Sequence, residues 1–128
     1  MRSKLMIVIA VLGLVVAACG GGASPETTAA PAAPGAGDPA NGEKLFAGTC
    51  ASCHGADATG IEGLGKNLTK SSFIGGLSDD ELVAFIKRGR PSSDPANTTG
   101  VDMPPKGGNP SLSDQDLYDI AAFLRTLQ

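Results

Sequence analysis

Three segments in the C-terminal part of the chain place apolar side chains at the spacing of amphipathic α-helices. The first, DPANGEKLFAGTC, offers Asp38 as an N-cap with Pro39 in the first turn. The second begins at Ser78 with the capping-box pattern SDDEL and ends before Gly89. The third begins in the same way at Ser113 and runs to the C-terminus. No segment shows the alternation of a half-buried strand, so the sequence predicts an all-α fold with three main helices.

The N-terminal end has a different pattern, in which a short basic start precedes an unbroken apolar run from Leu5 to Ala18. This layout is typical of a secretory signal peptide. As a helix the run would be about 21 Å long, against the ~30 Å core of a bilayer, which disfavours a transmembrane anchor. The letters VAAC at its end resemble a bacterial lipobox. We therefore expect residues 1–18 to be a lipoprotein signal peptide and Cys19 to be lipidated; an ordinary cleavage site is the alternative.

The next stretch, GGGASPETTAAPAAPGAG, is of low complexity and contains a single charge. Such a segment cannot bury enough apolar surface to offset the entropy lost on ordering. Residues 19–37 are therefore predicted to be the lipidated cysteine and a disordered tether, and residues 38–128 to be the folded domain. The layout predicts a protein anchored by lipid to the cell membrane, on its periplasmic or other extracytoplasmic face.

Composition changes the picture of the domain, because its supply of large side chains is small. The 128-residue chain has no Trp, one Tyr and four Phe, but 18 Gly and 9 Pro. A small domain of this kind usually needs a disulfide, a metal or a cofactor to be stable. The net charge of −3 at pH 7 and the lack of a basic run argue against nucleic acid as a partner.

The segment GTCASCHG brings together Cys50, Cys53 and the only histidine, His54. A thioredoxin-like redox pair would need a preceding strand, structural zinc would need a fourth ligand, and a plain disulfide would leave the histidine without a role. The fourth interpretation, which we favour, is the haem attachment motif C-x-x-C-H. Both cysteines would then form thioethers to the porphyrin and His54 would bind the iron. This predicts one covalent haem c, whose porphyrin would supply much of the missing core.

With these residues in place, residues 38–128 resemble a small monohaem class I cytochrome c. Four landmarks carry the resemblance in the expected order, namely NGEKLF, CASCH, MPP and LSDQDLYDIAAFLRTL. The resemblance implies that the first and last helices cross through five residues, Gly42, Phe46, Ile120, Phe123 and Leu124. A glycine at the crossing has its own physical reason, because the lack of a Cβ permits close approach of two helices.

The resemblance also implies that Met103 is the sixth ligand of the iron, since it lies in the MPP landmark. A thioether suits low-spin haem, and His/Met ligation raises the reduction potential. The two following prolines would stiffen the backbone that holds the sulfur. The alternative is a methionine that merely fills a gap, with the iron open or bound by Lys66, Lys70 or Lys106.

The chain departs from the family at GKNL, residues 65–68, where Lys66 replaces a proline. In the family, the carbonyl of that proline accepts a hydrogen bond from the ligating imidazole. A backbone carbonyl remains at this position, so we expect the hydrogen bond to survive while the loop loses rigidity. Leu68, Phe73 and Phe85 are candidate haem contacts, although ordinary core packing would explain them equally well.

The function implied by the resemblance is one-electron transfer, without catalysis, by an iron whose two axial positions are both filled. The partners would be redox proteins, and membrane complexes are the principal candidates. The carrier would be a monomer. The alternatives are a cytochrome subunit or electron-entry module of a larger oxidase or dehydrogenase complex, a gas-binding haem sensor with an open sixth position, and a lipoprotein without haem.

Overall fold

The computed structural model describes residues 35–128. Five helices follow one another in this part of the chain: α1 (Pro39–Thr49), α2 (Ala51–His54), α3 (Ser72–Gly75), α4 (Asp79–Arg88) and α5 (Asp114–Thr126). A 3-10 turn, Pro105–Gly108, precedes α5. No strand occurs among the described residues, where backbone segments outside the helices pair only at two isolated antiparallel bridges. The predicted all-α class is confirmed.

The three predicted helices are α1, α4 and α5, and their predicted starts are correct. The Asp38 carboxylate accepts a hydrogen bond from the Ala40 backbone N–H at 2.9 Å. Complete capping boxes begin both α4, where Ser78 pairs with Glu81, and α5, where Ser113 pairs with Asp116. Each box satisfies two N–H groups that have no partner inside the helix, which explains why the helices begin at these residues.

Two features of the helices differ from the sequence predictions. The short helices α2 and α3 were not predicted, because a single turn is too short to show periodicity. The prediction that the last helix runs to the C-terminus was wrong, since α5 ends at Thr126. The side chain of Gln128 instead folds back and donates to the carbonyls of Leu124 and Leu68, at 2.7 and 3.0 Å.

The predicted signal peptide, residues 1–18, the predicted lipidation site Cys19 and the predicted tether up to residue 34 lie outside the described residues. Within residues 35–128, no helix is both long enough and apolar enough to cross a membrane.

The crossing of α1 and α5 is confirmed, and it depends on a missing side chain. A Cβ built on Gly42 would lie 1.9 Å from the carbonyl oxygen of Asp119 and 2.9 Å from the backbone nitrogen of Ile120. One helical turn later on α1, the rings of Phe46 and Phe123 are tilted against each other with centroids 5.3 Å apart. At Gly42 the backbones of the two helices are therefore in direct contact. At Phe46 the space between the helices is filled by the two aromatic rings.

A buried carboxylate on α5 fastens the start of α1. Asp119 is only 5% exposed and accepts hydrogen bonds from the Asp38 backbone N–H, the Asn41 side chain and the Gln115 side chain, at 2.8, 2.7 and 3.0 Å. Burial by itself raises the pKa of Asp119, but these hydrogen bonds outweigh it and hold the pKa below its ordinary value. This contact was not predicted from the sequence.

Replacing Asp119 by Asn should lower the free energy of unfolding by about 1–3 kcal/mol at neutral pH, because the buried donors lose a charged acceptor. The folded-state pKa of Asp119 is depressed, so its contribution is complete above the ordinary pKa of 3.8 and is lost as pH falls through the folded pKa. Urea unfolding of wild type and variant along a pH series measures this difference.

The stability difference between wild type and Asp119→Asn should therefore narrow as the solution becomes acidic. The exposed Glu43 on α1 provides the control, and Glu43→Gln should change stability by less than ~0.5 kcal/mol. A difference for Asp119→Asn that is the same at every pH would show that the charge of Asp119 is not the source of the stabilisation.

Candidate functional site

A cavity of about 700 Å³ lies between the C-terminal end of α1, the α2–α3 loop, α4 and α5. This volume falls in the range of ~300–1,000 Å³ that is typical of sites for cofactors. Most of its wall is apolar, and the apolar side chains in it include Phe46, Leu68, Ile74, Phe85, Ile120 and Leu124. The cavity therefore lies where the few large apolar side chains of the domain do not fill the core.

The C-x-x-C-H motif forms one side of this cavity. Helix α1 leads directly into it, since the Cys50 N–H donates to the Phe46 carbonyl at 2.8 Å and the His54 N–H to the Cys50 carbonyl at 3.0 Å. Cys50, Cys53 and His54 all line the cavity, and both cysteines are free thiols. One turn of helix thus presents the three side chains to the same space.

Burial raises the pKa of the Cys50 thiol to about 11, and the neighbouring Cys53 adds to this shift. At neutral pH Cys50 is therefore a neutral thiol, unlike the thiolate of a catalytic or redox-active cysteine. The helical approach to the motif also differs from the strand that a thioredoxin-like pair requires. Among the described residues, no group of three or more His, Cys, Asp or Glu side chains is placed to hold a metal ion.

The hydrogen bond expected at Lys66 is present. The His54 Nδ1 atom lies 2.7 Å from the carbonyl oxygen of Lys66, and a carbonyl can only accept, so Nδ1 carries the proton. In the neutral imidazole with this tautomer, Nε2 is the nitrogen that has a lone pair for a metal. The preceding Gly65 is required here, because a Cβ on it would lie 2.2 Å from the carbonyl oxygen of Cys53.

Met103 reaches the same cavity from the long loop between α4 and α5. Its backbone forms an isolated antiparallel bridge with Arg90, with both N–H···O distances at 2.8 Å. Gly89 permits this approach, since a Cβ on it would lie 2.2 Å from the Met103 carbonyl oxygen. The position of the methionine is therefore fixed by backbone contacts to the end of α4.

The three lysines considered as alternative ligands are placed differently. Lys66 and Lys70 line the cavity with exposed side chains. Lys106 is absent from the cavity wall, and its Nζ donates to the carbonyls of Leu112 and Pro110 at 2.6 and 3.4 Å. These contacts direct Lys106 toward the start of α5.

The candidate contacts Leu68, Phe73 and Phe85 all lie in the cavity wall. Phe73 and Phe85 pack edge to face with centroids 4.9 Å apart. Arg90 also lines the cavity and was not predicted to do so from the sequence. The sequence shows only that an arginine follows the glycine that ends α4. That pattern does not indicate where the arginine side chain lies.

Together these features define a class of protein. Crossed first and last helices over an apolar cavity, a C-x-x-C-H turn in its wall and a methionine–proline loop on the same cavity are the architecture of a class I cytochrome c. Residues 37–124 match the family model described as cytochrome c oxidase, cbb3-type, subunit III, and the chain belongs to this family. Membership implies a covalently bound haem c.

Curated relatives agree with this assignment. The chain is 42% identical over 86 residues to the cbb3-type cytochrome c oxidase subunit CcoP of Rubrivivax gelatinosus, which covers 67% of this chain and 25% of that protein. It is 38% identical over 88 residues to cytochrome c-554(548) of Halomonas halodenitrificans, covering 69% and 94% of the two chains. For cytochrome c-555 of Prosthecochloris aestuarii the identity is 32% over 87 residues, covering 68% and 85%.

The relatives differ in length. The chain spans only about a quarter of the CcoP proteins that it matches, but most of the small cytochromes c-554(548) and c-555. No solved structure matches the chain.

Proposed function

We propose that this protein is a one-electron carrier in which Cys50 and Cys53 hold haem c covalently, while His54 and Met103 are the axial ligands of its iron. The observation that carries the proposal is that α2 and the loop before the 3-10 turn bring His54 and Met103 to one cavity. An imidazole and a thioether are the ligand pair of electron-transfer cytochromes c. With both axial positions filled, the iron would bind no substrate, so the proposed role is not enzymatic.

The described residues support this role in several ways. The bound haem would supply a reversible one-electron couple. The carbonyl of Lys66 fixes the tautomer and direction of the His54 ring, and the Arg90 backbone holds the Met103 segment. The apolar wall restricts water, and a less polar environment is one of the factors that set the reduction potential.

An apolar rim at the cavity is the proposed contact surface for redox partners. Phe73 and Val101 both line the cavity and are 42% and 38% exposed. A rim of two exposed apolar side chains suits the small interfaces of brief electron-transfer encounters. We propose that the carrier is a monomer and that its partners are membrane redox complexes.

We further propose that residues 1–18 are a signal peptide, that Cys19 carries lipid and that residues 19–37 tether the domain of residues 38–128 to the extracytoplasmic face of the cell membrane. The lipobox-like VAAC and the low-complexity stretch after it support this. In a bacterial host, Cys19→Ala should move the haem-containing protein from the membrane to the soluble fraction without altering its visible spectrum. A variant that stays in the membrane fraction would contradict the lipid anchor.

A second candidate is a cytochrome subunit or electron-entry module of a larger oxidase. The observation that favours it is the match to the cbb3-type subunit III family and to CcoP proteins. Solubilisation in mild detergent followed by purification through this chain separates the two. A stoichiometric haem-containing complex would support the subunit, whereas a single polypeptide would support the free carrier.

The proposed chemistry is tested by a redox titration of the full chain, matured in a host that attaches haem. We expect one reversible transition that follows a one-electron Nernst curve. The haem should also stay with the polypeptide after denaturation and extraction with acidified organic solvent, because thioethers are covalent. Extraction of the haem into the solvent would contradict the roles of Cys50 and Cys53.

A further inference from the structure

The side chain of Arg90 occupies an unusual place in the cavity wall. Its guanidinium carbon lies 4.8 Å from the ring centroids of both Phe73 and Phe85, and its side chain is only 18% exposed. Cation–π contacts with two rings restrict the guanidinium to a narrow range of positions. The charge is therefore held at the cavity instead of extending into solvent.

The hydrogen-bonding capacity of this guanidinium is largely unused within residues 35–128. Its Nε atom is buried and makes no hydrogen bond there, although the Asp94 carboxylate lies 3.3 Å away in an ion pair of poor direction. Its Nη1 atom makes one long contact, 3.5 Å, to the Ala96 carbonyl. A buried donor without a partner is costly, so a planar guanidinium in this state indicates a site for an acceptor.

The charges around the cavity favour an anionic acceptor. In the described part of the chain, three cationic side chains line the cavity, Lys66, Lys70 and Arg90, against one carboxylate, Asp102. With Asp94, which lies outside the wall and pairs with Arg90, the cations still outnumber the carboxylates. The Asp102 carboxylate already accepts a hydrogen bond from the Ser92 backbone N–H. The cavity wall is thus locally basic in a chain whose net charge is −3.

We propose that Arg90 binds a carboxylate at the periphery of the haem and thereby raises the reduction potential of the protein. Haem carries two propionate carboxylates, and the two-pronged guanidinium is the side chain best matched to such a group. The inference rests on the proposed function. A fixed positive charge near the iron disfavours the ferric state, which carries one more positive charge than the ferrous state.

The experiment compares the full-length, haem-loaded protein with three variants. Arg90→Gln removes the charge. At a fixed applied potential, it should lower the equilibrium ratio of reduced to oxidised protein on the order of tenfold. This corresponds to a decrease of ~59 mV in the one-electron reduction potential. Arg90→Lys keeps the charge and should recover most of the loss. Arg88→Gln is the matched control, because Arg88 also lies over the Phe85 ring, at 5.9 Å, but is exposed and absent from the cavity wall.

The control should change the ratio less than about twofold, because solvent and salt screen an exposed charge. The inference would be overturned if Arg90→Gln matched wild type, or if Arg90→Lys lost as much as Arg90→Gln. Visible spectra of all four proteins show whether the sixth ligand is unchanged, which separates an effect of charge from loss of Met103. A protein that carries no covalent haem would overturn the proposed function itself, whereas unchanged potentials in coloured protein would overturn the role of Arg90 alone.

Discussion

In the Met103→Ala variant, the reduced protein should bind carbon monoxide. Its reduction potential should fall by on the order of 100 mV, which is a fraction of the ~0.8 V range of potentials that axial ligands of haem set. The physical reason is that a thioether stabilises ferrous iron and occupies the position that carbon monoxide requires. The loop that carries Met103 is held by its own backbone bridge to Arg90, so removal of the side chain should leave the loop in place. Visible spectra with and without the gas, and a redox titration, measure both effects.

Val101 provides the control for this substitution. It lies two residues before Met103 in the same loop and also lines the cavity, but it has no atom that can bind iron. Val101→Ala should therefore remain insensitive to carbon monoxide and keep a potential near that of wild type. If Met103→Ala were equally insensitive, another side chain would fill the sixth position, and Lys66 and Lys70 would be the first to examine.

The Gly42→Ala variant should lose about 3 kcal/mol of stability or more, which for a small domain is a large part of the total. The added methyl group would lie 1.9 Å from the Asp119 carbonyl oxygen, a backbone atom of α5 that cannot rotate away. The two helices would have to separate, and the packing of Phe46 against Phe123 would loosen with them. Chemical denaturation of the haem-loaded protein measures the loss.

Gly48→Ala, on the same helix, is the matched control. Gly48 is exposed, and a Cβ on it would meet no atom within 4 Å. Alanine is preferred to glycine in helices, so this substitution should leave stability unchanged or raise it by up to ~1 kcal/mol. Equal losses in the two variants would show that helix propensity, and not the close approach of α1 and α5, determines the requirement for Gly42.

Features that depend on neighbouring residues in the chain were predictable from the sequence. The caps at Asp38, Ser78 and Ser113 are local hydrogen bonds between residues two or three apart, and the structure confirms all three. The C-x-x-C-H motif is equally local, since one helical turn decides its geometry. The resemblance to class I cytochromes c added long-range expectations that periodicity alone could not provide, among them the approach of Gly42 to α5.

Features that depend on long-range contacts were not predictable. Asp119 binds groups 81 and 78 residues away, and nothing in the local pattern of α5 distinguishes it from an exposed aspartate. The packing of Arg90 against both Phe73 and Phe85 likewise depends on how α3, α4 and the following loop pack together. The end of α5 was missed because one contact of the Gln128 side chain is to Leu68, in a distant loop.

The central claim is that both axial positions of the iron are filled by this chain. The most direct test is the visible spectrum of the purified, full-length protein, reduced and then exposed to carbon monoxide. Sharp low-spin bands that do not move with the gas are the result predicted by His54 and Met103 ligation. Bands that shift on addition of the gas would contradict the claim and assign the protein to ligand-binding haem proteins.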